Sequence, residues 1–298
     1  MELTDIMIKR KLGNTSFEIT PVTYGGIISM QDGQDASDRY MAWAIDRGIN
    51  YFDVAPTYGD AQEKLGNSLL PYRKDIYLAC KTNRRMGADA RKEFEESFRL
   101  LHTDYFDVYQ LHGLSSVEEV DQVFGAGGTM EMMVKAKEQG LVRKLGITCH
   151  SEAAALKAIS LFDFDTVLFP LNWHMGIGYG MGKQLAKAAK EKGMGLLGMK
   201  QLIERRWISP DEGKNSPFPK SWCKPIDREN RELRIAAMKY ALSLGVDTLI
   251  PPGNFEDFSF VVENIDECLR NPLSDDDMAL LAQSYEKVKD YPFFTPDL

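Results

Sequence analysis

The sequence predicts an α/β fold, a (β/α)8 barrel, from two observations. Eight short runs rich in apolar, β-branched and aromatic residues recur along the chain, and amphipathic helical stretches lie between them. Strands that alternate with helices specify parallel βαβ units. Eight such units in about 250 residues have the size of a (β/α)8 barrel. An open doubly wound sheet is the alternative, but it normally has fewer strands and a nucleotide fingerprint.

The eight predicted strands are residues 20–26, 49–55, 75–82, 104–112, 142–150, 166–172, 193–200 and 246–252. Start and stop signals predict helices from Ser37/Asp38 to Gly48, over 88–101, from Thr129 to Gly140, over 151–162 with Ser151 as N-cap, and from Asp227 to Gly245. The stretch MIKRKLGNTSFEI predicts a β-hairpin before the first strand, and 255–269 and 274–290 predict two helices after the eighth. No linker or repeat divides the chain, so residues 1–298 are predicted to form a single domain.

Composition narrows the class of protein. A net charge of −8 and a pI near 5.2 argue against nucleic acid as a partner. The chain has no apolar signal core at its start and no run long enough to span a membrane, and its four cysteines form no C-x-x-C pair. We therefore expect a cytoplasmic protein without a metal site, and the sequence leaves the oligomeric state open.

Polar side chains gather where the predicted strands end, which is where (β/α)8 barrels carry their chemistry. They are Asp53 with Tyr58 in the following loop, Lys81, His112, Thr148, Cys149, His150 and Asn172. Each alone has an ordinary structural explanation, such as a helix cap or a half-buried side chain. Titratable residues at four consecutive strand ends favour a functional site instead.

The segments around these residues resemble those of a known family. INYFDVAPTYG, YLACKT, LHTDYFDVYQLH and VRKLGIT are similar to signature segments of the aldo/keto reductases, NAD(P)H-dependent (β/α)8 barrel enzymes. The resemblance runs from RKLGNTSFEIT to VVEN, and the bacterial oxidoreductase branch is the best local analogy. Some members of that branch carry an iron–sulfur tail, for which this chain has no cysteine cluster. The resemblance implies reduction of an aldehyde or ketone to an alcohol by hydride transfer.

It also implies a catalytic tetrad of Tyr58, Lys81, Asp53 and His112. A carbonyl that accepts a hydride at carbon needs a proton on oxygen, and a tyrosine with its usual pKa of ~10 is a reluctant donor. The Lys81 ammonium would lower that pKa, and Asp53 would keep the lysine charged. His112 would orient the substrate carbonyl by a hydrogen bond.

The remaining site residues follow from the resemblance. Thr148 and Asn172 would hold the nicotinamide carboxamide, and Gly253, Asn254, Glu263 and Asn264 would hold the adenosine half. The predicted cofactor-binding set also contains Gly25, Cys149 and Met199. The predicted substrate-binding residues are Tyr24, Ile28, Trp173 and His174.

Three positions depart from the family pattern. Leu168 stands where a glutamine usually binds the carboxamide, and Met199 stands where an aromatic ring usually stacks on the nicotinamide. Glu256 and Asp257 lie where an NADP 2′-phosphate is usually held by basic residues. The resemblance favours NADP(H) and the local charge favours NAD(H). We favour NADP(H) and leave NAD(H) open.

Two other functions fit parts of the same pattern. Lys81 would serve as the nucleophile of a Schiff-base aldolase if its amine were desolvated rather than ion-paired. A barrel that binds the nucleotide as a regulatory or scaffolding subunit would retain the tetrad with little turnover. Residues 203–225, without a clear long helix, would suit either a flap over the site or a packed surface excursion.

Overall fold

The computed structural model describes residues 7–218 and 220–294, and it confirms the predicted (β/α)8 barrel. Residues 1–6, which belong to the stretch that was expected to lack a signal core, lie outside the described part. An N-terminal hairpin of β1 (Arg10–Lys11) and β2 (Glu18–Ile19) precedes the barrel, as predicted.

The barrel consists of eight parallel strands. In chain order they are β3 (Tyr24–Gly25), β4 (Tyr51–Asp53), β5 (Tyr77–Thr82), β6 (Phe106–Leu114), β7 (Val142–Cys149), β8 (Thr166–Pro170), β9 (Gly195–Met199) and β12 (Thr248–Ile250). Each strand pairs with the next from β3 to β9, and β9 pairs with β12. A parallel bridge between Val22 and Leu249 joins the first and last strands and closes the sheet.

Helices cover the outside of the barrel. They are α1 (Gln34–Asp46), α2 (Ala61–Leu69), α3 (Gly87–Leu100), α4 (Val117–Phe124), α5 (Thr129–Glu138), α6 (Glu152–Leu161), α7 (Trp173–Tyr179), α8 (Lys183–Glu191), α9 (Pro210–Lys214), α10 (Arg231–Ser243), α11 (Phe255–Arg270) and α12 (Asp275–Val288). Among the described residues, none of these helices has the length and hydropathy needed to cross a membrane.

Some predicted boundaries were wrong. Helix α10 begins at Arg231 rather than Asp227, because the Asn230 side chain accepts a hydrogen bond from the amide of Leu233 and caps the helix there. Helix α1 begins at Gln34, before Ser37, after Gly33 in a backbone conformation with φ of 80°. The predicted strand over 20–26 retains only Tyr24–Gly25, and Gly26–Ser29 forms a 3-10 turn instead.

The hairpin fills the N-terminal end of the barrel. Its residues Leu12, Phe17 and Ile19 belong to one buried cluster with side chains from the strands, namely Tyr51, Ala79, Val108, Leu168, Leu197 and Ile250. Burying these apolar surfaces excludes water from that end of the barrel interior. The carboxyl ends of the strands are left as the place where a ligand can enter.

Residues 203–225 form an ordered excursion. Strand β10 (Ile203–Arg205) pairs antiparallel with β11 (Lys224–Pro225), with the short helix α9 between them. The Trp207 indole donates a hydrogen bond to the carbonyl of Ser221 (2.9 Å). Lys220 reaches across to the turn after β3, where it pairs with Asp32 and donates to the carbonyl of Ile28 (2.8 Å). The excursion thus bridges the carboxyl ends of the first and seventh barrel strands.

Candidate active site

A buried ion pair lies at the carboxyl ends of neighbouring strands β4 and β5. Asp53 pairs with Ala79 in the parallel register, and Lys81 lies two residues further along β5, so both side chains point into the barrel. The Lys81 ammonium donates to Asp53 Oδ1. Lys81 is fully buried and Asp53 is 2% exposed. At this depth each charge depends on the other for compensation.

Tyr58 and His112 stand beside this pair. Tyr58 lies in the turn between β4 and α2, where its amide donates to the carbonyl of Ala55 (3.1 Å). The Lys81 ammonium is 5.3 Å from the centroid of the Tyr58 ring. The His112 ring lies perpendicular to that ring, with centroids 5.8 Å apart. The structure therefore brings all four residues of the predicted tetrad together.

The electrostatics of the group set three protonation states. Burial raises the pKa of Tyr58, and the opposing effect of the Lys81 charge is smaller, so the phenol is protonated at neutral pH. Burial is the largest single effect on the pKa of Lys81 and lowers it, but Asp53 and Tyr58 together oppose it and the net pKa is raised, which keeps the ammonium charged. Burial, followed by the charge of Lys81, lowers the pKa of His112 to about 2, so its imidazole is neutral. Lys81 therefore lowers the pKa of Tyr58, as the resemblance implies, but burial raises that pKa by more.

Gln110 is a residue of this group that the sequence analysis missed. Its side-chain amide donates to Asp53 Oδ2 (2.8 Å), and its carbonyl oxygen accepts from Thr148 Oγ1 (3.2 Å). Gln110 is fully buried. It lies two residues before His112 on β6, and the period of two along a strand places both on the same inward face. That spacing was the signal that could have identified it.

Arg85 was also missed, and it holds the backbone beside His112. Its guanidinium donates to the carbonyls of His112 (3.0 Å) and Gly113 (3.3 Å) and pairs with Glu119. Among the described residues, Nδ1 of His112 is buried without a hydrogen-bond partner.

A cleft leads down to Tyr58 and Asp53, and its volume is about 620 Å³ when the open space at its mouth is included. The other residues that line it are Ile27, Leu168, Met199, Lys200, Ile203, Lys220, Ser221, Trp222, Cys223, Ile250, Pro251, Pro252 and Gly253. Of the predicted cofactor-binding residues, Met199 and Gly253 are therefore at the cleft. The 203–225 excursion supplies one of its walls, with Trp222 as a 59% exposed ring on that wall.

Several predicted cofactor contacts have other partners. Asn172 is fully buried and caps α7: its Oδ1 accepts from the amides of His174 and Met175, and its Nδ2 donates to the carbonyls of Lys200 and Ile203. Cys149 packs in the core outside the barrel wall. Gly25 lies behind the cleft, where a Cβ would be 3.2 Å from Ile250. Thr148 is linked to the tetrad through its hydrogen bond to Gln110, which bonds to Asp53.

The predicted substrate-binding residues do not line the cleft. Tyr24, Ile28 and Trp173 are fully buried in the main core, and the Tyr24 hydroxyl bonds to Ser29 Oγ. The His174 ring is buried with Nδ1 2.7 Å from the carbonyl of Glu204. The neighbouring Ile27 lines the cleft in place of Ile28.

A second depression shares Lys220 with the cleft and continues toward the N-terminus of α11. Its other residues are Asp32, Ala36, Arg39, Tyr40, Pro217, Arg228, Asn254, Phe255 and Glu256. Asp257 does not face it, because its carboxylate forms a buried pair with Arg234 (2.5 Å) and also bonds to Asn254. Glu256 is within 3.4 Å of Arg228. The predicted contacts Glu263 and Asn264 lie further along α11, where Asn264 accepts from Arg231 (2.9 Å).

Comparison with known proteins identifies relatives. The family model described as "Aldo/keto reductase family" matches residues 23–286. L-galactose dehydrogenase of Arabidopsis thaliana is 28% identical over 260 residues, which are 78% of this chain and 80% of that protein. The uncharacterized oxidoreductase YqkF of Bacillus subtilis is 31% identical over 156 residues, so the match spans only 48% of this chain and 49% of YqkF.

Solved structures share the fold. The holo form of aldo-keto reductase AKR11C1 from Bacillus halodurans superposes with a TM-score of 0.70 at 20% identity, covering 93% of this chain and 96% of that one.

The ion pair generates a stability prediction. Asp53→Asn leaves the buried ammonium uncompensated, and we expect the free energy of unfolding to fall by about 3–5 kcal/mol. Lys81→Met should cost a similar amount, whereas the double variant Asp53→Asn/Lys81→Met should lose much less than the sum. Urea denaturation measures each value. The exposed pair Arg91–Glu95 is the matched control, with an expected coupling below about 1 kcal/mol. Additive losses at Asp53 and Lys81 would contradict the assignment.

Proposed function

The chain belongs to the aldo/keto reductase family of NAD(P)H-dependent oxidoreductases, and from that premise we propose that it reduces the carbonyl group of a small aldehyde or ketone with Tyr58 as the proton donor. The observation that carries the proposal is the placement of a charged, fully buried lysine between the Asp53 carboxylate and the Tyr58 ring at the bottom of the cleft. In the proposed step, the carbonyl carbon receives a hydride and the carbonyl oxygen receives the Tyr58 proton. The C=O π bond and the Tyr58 O–H bond break, a C–H and a new O–H bond form, and the hydride would come from a reduced nicotinamide, which is thereby oxidised.

Lys81 stabilises the phenolate that remains on Tyr58. Its charge lies 5.3 Å from the ring before proton transfer and interacts most favourably once the oxygen is negative. Asp53 holds the ammonium in place, and Gln110 holds the second oxygen of that carboxylate. The phenol then regains a proton from solvent through the cleft.

His112 orients the substrate in this proposal. Because its imidazole is neutral, it offers a hydrogen bond from one ring nitrogen without competing with Tyr58 as a proton donor. Arg85 fixes the backbone that carries the ring by donating to the carbonyls of His112 and Gly113. The carbonyl oxygen would accept from both the phenol and the imidazole.

The residues at the cleft are compatible with a nicotinamide dinucleotide. The cleft and the second depression share Lys220, so together they extend from Tyr58 to the N-terminus of α11, a position that suits phosphate groups. The backbone of Gly253 packs closely against Ile27 at the cleft, since a Cβ on Gly253 would lie 2.0 Å from the Ile27 side chain. When bound, the nicotinamide supplies the hydride.

Within this proposal NADP(H) is the preferred cofactor. The Arg228 guanidinium lines the second depression, and its buried Nε has no partner among the described residues. Arg39 lines the same depression. One of the two acidic residues that argued for NAD(H), Asp257, is paired with Arg234 inside the protein. A 2′-phosphate could replace Glu256 as the partner of Arg228.

The alternative of a Schiff-base aldolase that uses Lys81 is disfavoured by the same ion pair. An amine nucleophile must be neutral, whereas Asp53 keeps Lys81 protonated.

The direct test is Tyr58→Phe, which keeps the ring and removes the proton. We expect kcat for aldehyde reduction to fall about 10²–10⁴-fold, since this is the usual contribution of a general acid. The consumption of NADPH or NADH is followed by absorbance against a panel of reactive aldehydes and quinones. Tyr77→Phe is the matched control, because Tyr77 stacks on Phe17 of the hairpin at the opposite end of the barrel.

This experiment distinguishes a wrong assignment of the proton donor from a protein that has no reductase activity. If Tyr58→Phe retains its rate within about threefold, the hydroxyl is not the acid. If the wild-type protein binds a dinucleotide but turns over no carbonyl compound, the regulatory function replaces the catalytic one.

The cofactor preference has its own test at Arg228. Arg228→Ala removes a charge-assisted contact to the 2′-phosphate, and kcat/KM with NADPH should fall about 10–100-fold relative to NADH. Arg270→Ala at the far end of α11 makes the same charge change and should preserve the ratio. A wild-type preference for NADH, or an equal loss with both dinucleotides in Arg228→Ala, would contradict the assignment.

A further inference from the structure

Lys200 is a cationic residue of the cleft for which the proposed mechanism has no use. It follows directly after strand β9 and lines the cleft that contains Tyr58. Its ammonium lies 5.8 Å from the centroid of the Trp222 ring and 5.5 Å from that of Phe294. The two aromatic rings provide cation–π stabilisation, which is weaker than a carboxylate partner.

Its charge is uncompensated, in contrast to the other lysines near the cleft. Lys81 is paired with Asp53, and Lys220 with Asp32. No carboxylate pairs with Lys200 in the part of the chain that the structure describes. Burial accordingly lowers the pKa of Lys200, and the nearby Cys223 opposes this only in part. Lys200 is partly exposed on the cleft wall, where an ammonium without a carboxylate partner can take an anionic ligand as its counter-charge.

The backbone holds Lys200 in a defined position. Its φ is 63°, a left-handed conformation that is unfavourable for a residue with a side chain. The conformation is fixed because the Lys200 carbonyl accepts hydrogen bonds from Asn172 Nδ2 (2.7 Å) and the amide of Ile203 (2.9 Å). Asn172 is itself fully buried. The lysine is therefore anchored to the rigid barrel wall through its main chain.

Lys200 lies near His150, because both residues are neighbours of the Phe294 ring. The charge of Lys200 contributes to the lowered pKa of both His112 and His150, and the His150 ring stacks on Phe294 at 4.8 Å. The Trp222 ring is also 6.3 Å from the Tyr58 ring. Lys200 and Tyr58 are thus neighbours of the same exposed indole. By contrast, Arg228 and Arg39 lie in the second depression, where we place the phosphate of the dinucleotide.

We propose that Lys200 binds an anionic group of the carbonyl substrate, a carboxylate or a phosphate, and that the physiological substrate is therefore an aldehyde or ketone with a negative charge about one aromatic ring away from its carbonyl. This inference rests on the proposed function. Trp222 supplies the flat surface between the two recognition points, on which the body of the substrate packs. An ionised oxygen acid would provide the counter-charge that Lys200 lacks.

The experiment compares an anionic and a matched neutral aldehyde, 4-carboxybenzaldehyde and methyl 4-formylbenzoate. The wild-type protein should favour the carboxylate in kcat/KM, and Lys200→Gln should lower that preference about 10-fold, chiefly through KM. Lys200→Arg retains the charge and should retain most of the preference. Lys187→Gln makes the same charge change on the exposed side of α8 and should leave the preference unaltered.

Equilibrium binding of 4-methylbenzoate, measured by calorimetry, separates this inference from the proposed function. Lys200→Gln should weaken it about 10-fold even if no carbonyl compound is turned over. The proposal is overturned if Lys200→Gln leaves both the preference and the benzoate affinity unchanged. It is also overturned if the variant weakens NADPH binding in place of benzoate binding, since Lys200 would then serve the dinucleotide.

Discussion

The buried pair of Lys81 and Asp53 is the interaction on which the rest of the site depends. Two charges without access to water require each other, and the adjacent parallel strands β4 and β5 fix them side by side. Gln110 extends the pair to β6, and Thr148 extends it to β7. Four consecutive strands of the barrel thereby share one buried polar network, and that network holds the ammonium beside the Tyr58 ring.

The surroundings of this network determine what the cleft can do. The hairpin closes the opposite end of the barrel with Leu12, Phe17 and Ile19, so the charges face a single opening. Burial keeps the Tyr58 phenol protonated and the His112 imidazole neutral, which leaves a protonated phenol at the bottom of the cleft and a neutral imidazole beside it. In the proposed account, Lys200 lines the cleft without a carboxylate partner among the described residues and attracts the anionic group of a substrate.

The sequence predicted the fold from its local patterns, and the family resemblance implied four site residues that the structure brings together. Alternating strands and helices specify the barrel, and a residue at the carboxyl end of a barrel strand reaches the same rim whatever the loops do. The hydrogen bonds of side chains whose partners come from distant loops could not be predicted. The Asn172 side-chain amide donates to the carbonyls of Lys200 and Ile203, and Asp257 pairs with Arg234 inside the protein. No local sequence pattern reveals either contact. The cleft wall formed by Lys220 and Trp222 depends on the path of an excursion whose local pattern gave no clear helix.

The most direct measurement of the central claim is the pH dependence of kcat/KM for reduction of a neutral aldehyde and for oxidation of its alcohol. A phenol with a raised pKa is the acid below that pKa, so reduction should be constant from about pH 5 to about pH 9 and decline only above ~10, the ordinary tyrosine value. Oxidation needs the phenolate and should rise with pH over the same range. A reduction rate that declines through about pH 7 to 9 would show that Lys81 has lowered the pKa of the phenol instead, and a dependence centred near ~6.5 would assign the proton to a histidine.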